Sequence, residues 1–181
     1  MSNKQKIFWI TRTAVFIALL VVLQTVTKSM GQYVTGSLVN LVLIASTLLG
    51  GMLCGITVAL LSPIFAFLLG IGPAMFPIIP AIMLGNLSIV LLWHLFAGRT
   101  QETKKTLRYV AALIVGAVTK FLVLYLSVVR LVVPIILKMP EPQATAISAS
   151  FSLPQLITAL IGGILALLIV PVLKKAIKPQ N

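Results

Sequence analysis

Residues 29–97 read SMGQYVTGSLVNLVLIASTLLGGMLCGITVALLSPIFAFLLGIGPAMFPIIPAIMLGNLSIVLLWHLFA, and nowhere in that run is there an Asp, Glu, Lys or Arg. A helix needs about 20 apolar residues to cross a bilayer core, so the run holds material for about three spans. Its punctuation divides it. Gly50-Gly51 ends a short apolar segment, and a longer one carrying Pro63 follows almost at once. The sequence Gly70-Ile71-Gly72-Pro73, with Pro77 and Pro80 beyond it, does not suit regular helix and reads as a loop or re-entrant turn.

Working outward from this run gives six helices, at about 7–27, 37–49, 52–69, 80–96, 107–133 and 151–173. The polar stretch 28–36, the basic stretch 98–108 and the proline-bearing stretch 134–148 are read as loops. Arg12 splits the first apolar run and no small-residue cleavage site follows, so this end reads as a span rather than a removable signal. Residues 1–181 are expected to form a single membrane domain, an all-α integral membrane protein. The composition agrees: 60% of residues are hydrophobic and 9% charged, where a soluble surface requires about a quarter charged.

Fourteen Lys and Arg face two acids, Glu102 and Glu141. In a soluble chain such an excess would suggest a nucleic-acid partner. Here it is a topology signal at helix ends. With the N-terminus inside, the cytoplasmic segments hold Lys4, Lys6, Arg12, Arg99, Lys104, Lys105, Arg108, Lys174, Lys175 and Lys178, which is most of the cations. An even number of spans with both termini cytoplasmic follows. The outer segments receive Lys28, Lys138 and Arg130, and Lys120 remains within the membrane.

Catalysis is poorly provided for. The two carboxylates fall in loops on opposite sides of the membrane, so they form no acid–base pair. No phosphate-binding loop of the G-x-x-x-x-G-K-[ST] type occurs. His94 stands alone, and the lone Cys54 permits neither an intrachain disulfide nor a metal site. No acid lies within the spans to carry protons through them. Neither a metal nor another cofactor is expected.

Lys120 stands out. About twelve residues into the fifth helix, at about 1.5 Å per residue, it falls near mid-membrane. An ammonium there costs on the order of 3 kcal/mol and should face a polar cavity or a ligand. A ligand meeting it would carry a carboxylate or another electron-rich group. Gly116 and Ser127 share its helical face. Asn40, Asn86 and Gln155 lie in apolar surroundings on three other helices, and an amide in lipid must pair with a neighbouring helix or a solute. Lys120, Asn40, Asn86, Gln155 and Ser127 are therefore the candidate ligand-binding residues.

A basic start followed by TAVFIALL (13–20) sets Ala14 and Ala18 one turn apart. The run QYVTGSLVN, GGMLCGITVALLSPIFAFLLGIGP and IMLGNLSIVLLW occupies the middle of the chain, and AVTKFLVLYL surrounds Lys120. In these features the chain resembles the substrate-binding S components of energy-coupling factor (ECF) transporters, prokaryotic importers of vitamins and other micronutrients. The resemblance covers nearly the whole chain. It implies a subunit of the cell membrane that docks through Ala14 and Ala18 on a membrane-embedded T component, with two ATPase subunits supplying the energy. It also implies a small-molecule solute bound near the outer face under residues 28–36, with residues 134–150 helping to close the site. The subunit then topples in the membrane to release its cargo inside. Thiamine-type sites use acids that this chain lacks, and Met1-Ser2-Asn3 lacks the His of the metal importers, so a neutral or anionic vitamin-like solute is favoured. A stand-alone carrier or channel, and a membrane scaffold without solute, are the competing readings.

Overall fold

A computed structural model describes residues 2–72, 75–98 and 105–177, without the side chains of residues 105 and 177. Pro73, most of the basic stretch 98–108 (Arg99, Gln101, Glu102 and Lys104 included) and Lys178 lie outside the described residues. Among those described the chain is helical, with no strand. The helices are α1 (Asn3–Thr27), α2 (Gln32–Gly50), α3 (Met52–Leu68), α4 (Ile78–Ala97), α5 (Lys105–Leu124), α6 (Glu141–Ser150) and α7 (Leu153–Ile177). A single 3-10 turn, Lys28–Met30, joins α1 to α2, and α5 runs on as a wider π-helix through Tyr125–Leu137.

Five helical stretches are long and apolar enough to cross a membrane, and α3 is a shorter apolar helix. The outward faces are oily. Leu68, Leu107, Leu126, Ile135, Leu168 and Val172 are all well exposed. So much exposed apolar surface suits lipid rather than water. The chain is thus a multi-pass membrane protein.

Three stretches differ from the reading by sequence. The second helix begins at Gln32 rather than Ser37, because its first polar residues are helical and face inward. The fifth does not stop at Val133: the π-turns carry it through Pro134 to Leu137. The stretch 134–148 is therefore not a loop, since it also contains α6. Pro142 sits in the first turn of α6, where the missing N–H would have had no partner anyway.

α2 packs on α7, α4 on α5, α5 on α7, and α3 on α2 and α4, while α1 lies against α2 and α3. The main core surrounds Trp93, Leu43, Ile44, Val58, Val90 and Ala117. A second cluster of Ile78, Leu124, Val128, Val132 and Phe151 supports α6. Turns are tight. Gly51 alone separates α2 from α3, at φ 90°, a left-handed conformation open to glycine at little cost. α2 and α7 touch through Gly162, where an added Cβ would lie 2.6 Å from Ser37 O and 2.9 Å from Leu41 N. That contact holds Asn40, in the same turn of α2, inside the bundle.

Candidate functional site

A cavity of about 500 Å³ opens among the helices, within the range for a small-molecule site. It lies toward the end of the bundle where α1 runs into α2. Gln24 and Lys28 of α1 and its turn, and Gln32, Thr35 and Asn40 of α2, form one wall. Pro63, Ala66 and Phe67 of α3, with Ile79, Ile82 and Asn86 of α4, form another. Ile147 and Ser150 of α6 lie along it with Phe151 and Gln155 at the start of α7. Pro63 leaves the carbonyl one turn back without its usual helical donor, a break tolerated where a cavity or a neighbour is at hand.

Lys120 is 3% exposed and lines this cavity. Its Nζ donates to Asn40 Oδ1 at 2.6 Å and to Asn86 Oδ1 at 2.8 Å. An ammonium only donates, so both amides must turn their carbonyl oxygens toward it. Their NH2 groups then donate elsewhere: Asn40 to Gly36 O at 2.9 Å and Thr158 Oγ1 at 3.5 Å, Asn86 to Ser62 Oγ at 3.3 Å. Four helices thus fix one ammonium. It has three N–H bonds, and the third has no partner among the described residues. Among the described residues no carboxylate lines the cavity, whereas a second cation, Lys28, stands in its wall near Gly70. Amide dipoles solvate the amino group of Lys120, and no acid among the described residues faces it.

Residues 9–174 match the family described as ECF transporter, substrate-specific component. The chain belongs to that family. No curated protein and no solved structure matches it. It is accordingly a substrate-binding subunit of an ECF transporter, a transport subunit and not itself an ATPase. Such S components bind small solutes and work with a T component and ATPases.

In this S component the structure brings Lys120, Asn40, Asn86 and Gln155 to one cavity. Ser127 lies apart: its hydroxyl donates to Val123 O in its own helix, and it is absent from the cavity wall. Gly116, on the same face, gives its space to Trp93, whose ring would lie 3.3 Å from an added Cβ. Gln155 donates through Nε2 to Ser150 O at 3.1 Å, and Gln32 Nε2 donates to the same carbonyl. Two amides from α2 and α7 so pin the end of α6 over the cavity. Ala14 and Ala18 are exposed on α1. Reading by sequence passed over Gln24, Gln32 and Ser62. Gln24 carried a usable signal, an amide one turn before Lys28 that directly follows the apolar run 14–23.

Proposed function

We infer that this S component captures a small, water-soluble, vitamin-like anion. The observation that carries this reading is the Lys120 ammonium, held by two amide carbonyls, with a donor to spare and no acid among the described residues of the cavity wall. An uncompensated cation in a low-dielectric pocket favours a solute that brings the opposite charge. Neutral solutes with electron-rich oxygens rank second. The apolar lining of Phe67, Ile79, Ile82 and Phe151 suits the body of such a molecule.

On this reading the chain is one membrane domain of six spans in a prokaryotic plasma membrane, α3 being the short span. Both termini are cytoplasmic, which places the cavity toward the outside. The helix α6, tied down at Ser150, acts as the lid, and Ala14 and Ala18 form the face that meets the T component. Two ATPases drive release inside. Small residues a turn apart let a partner helix approach closely, and both are exposed.

The experiment is purification of the tagged chain co-expressed with a T component and two ATPases, with mass spectrometry of the small molecules retained. An anionic solute should be recovered together with the three partners. Ala14→Leu should lose the partners and keep the solute. Recovery of an organic cation would reject the charge argument, and partner association unaffected by Ala14→Leu would reject the docking face.

Orientation has its own check. In a Cys54→Ala background, cysteines at Gln101 and Gln143 should react with an impermeant thiol reagent from opposite sides, Gln143 from outside. Labelling of both from one side contradicts the six-span arrangement.

A further inference from the structure

Three buried side-chain atoms have no hydrogen-bond partner among the described residues: Trp9 Nε1, Thr13 Oγ1 and Gln24 Oε1. All three belong to α1. Gln24 differs from the other two because it lines the cavity. It is 7% exposed, and its Oε1 is buried with no hydrogen-bond partner among the described residues. A buried amide in that state is destabilising unless water or a ligand completes it. Elsewhere in the cavity wall, Asn40 and Asn86 commit both their amide nitrogens and their carbonyl oxygens, and Gln155 commits its nitrogen. Among the described amides of the cavity wall, Gln24 alone has a buried oxygen with no partner.

We propose that Gln24 is a specificity-determining residue which reads a neutral hydroxyl or amide group on the solute, while Lys120 holds the anionic group. The inference rests on the anion reading given above and adds the second recognition element. A primary amide offers both an acceptor and a donor, so it pairs best with a group that does the same. Without a solute, only water could complete those bonds. A solute that expels the water must replace its bonds or leave Gln24 unpaired, which is how a polar site rejects analogues lacking one hydroxyl. The solute class is therefore a small acid with an apolar body and a hydroxyl or amide set apart from its carboxylate.

The probes are hexanoate, 6-hydroxyhexanoate and 6-acetamidohexanoate, titrated against the purified full chain and read by thermal shift and calorimetry. Wild type should prefer the hydroxy and acetamido acids over hexanoate by roughly two- to tenfold, the worth of one net hydrogen bond. Gln24→Met should bind all three alike, at the hexanoate level, with an unchanged or raised melting temperature without ligand. A preference that survives in Gln24→Met overturns the proposal. So does a sharply lowered melting temperature for Gln24→Met with the preference intact, which would make Gln24 a packing residue. Lys120→Met separates the two claims. It should weaken the response to hexanoate roughly ten- to a hundredfold, and a full response there overturns the anion reading while the Gln24 preference can still be scored. No response of wild type to any of the three acids overturns both.

Discussion

Lys120→Met is expected to weaken binding of the retained anionic solute roughly ten- to a hundredfold, the value of a charge-assisted hydrogen bond of about 1.5–3 kcal/mol. Methionine keeps the length and apolar stem of lysine but presents no donor. The melting temperature should change little, because two effects oppose each other. Loss of the ammonium relieves the cost of a cation at membrane depth, on the order of 3 kcal/mol. It also strips Asn40 and Asn86 of the donor to their carbonyl oxygens, which cavity water can then reach. Replacement of Asn40, Asn86 or Gln155 by Ala should cost less affinity than loss of Lys120, since these are neutral groups. Calorimetric titration beside thermal melts decides the matter. Affinity equal to wild type with a much lower melting temperature would show that Lys120 serves the fold and not the solute.

The second large effect concerns helix approach. Gly162→Ala should lower stability by about 1–3 kcal/mol or more, the usual cost of overpacking, and weaken solute binding with it. An added Cβ would meet Asn40 Cβ at 2.5 Å and the backbone at Ser37 O and Leu41 N, and none of these can rotate away. α7 must then move off α2, taking Thr158 from Asn40 and shifting one of the two carbonyls that hold Lys120. Gly163→Ala is the control. Its nearest neighbour is the tip of Leu113, a flexible side chain, although Trp93 stands 3.2 Å away. The Gly163 variant should be milder. Equal melting temperatures and affinities for the two would refute the argument that α2 and α7 are held at backbone contact.

Much of this was legible in the chain, for identifiable reasons. Apolar runs without charge admit few readings, so the principal helices could be placed to within a few residues. Lys120, Asn40 and Asn86 were conspicuous because polar groups are expensive in lipid. Periodicity could not show that the three bond to one another, since that depends on how α2, α4 and α5 are juxtaposed. Prolines misled twice. Pro140 and Pro142 read as breakers but stand at the cap and first turn of α6, and Pro134 is accommodated within π-turns. Residues 32–36 looked like loop because they are polar, yet polarity there reflects a helix facing a cavity. Gln24 was missed for a similar reason: near the end of a span, an amide resembles an ordinary interfacial residue.

The absence of any acid beside Lys120 has a bearing on transport across a charged membrane. Moving one elementary charge through a potential of about 100 mV involves about 2.3 kcal/mol. A free monoanion entering an inside-negative cell would meet that work as a barrier. Under the proposed reading, an anion seated against the ammonium of Lys120 would form a pair with no net charge, and the field would do no net work on that pair if the loaded subunit reoriented. Had an Asp or Glu stood beside Lys120, the protein would already be neutral there and the cargo would carry its charge through the field alone. On the anion reading proposed above, Lys120 would act as an electrical counterweight to the cargo on its way in.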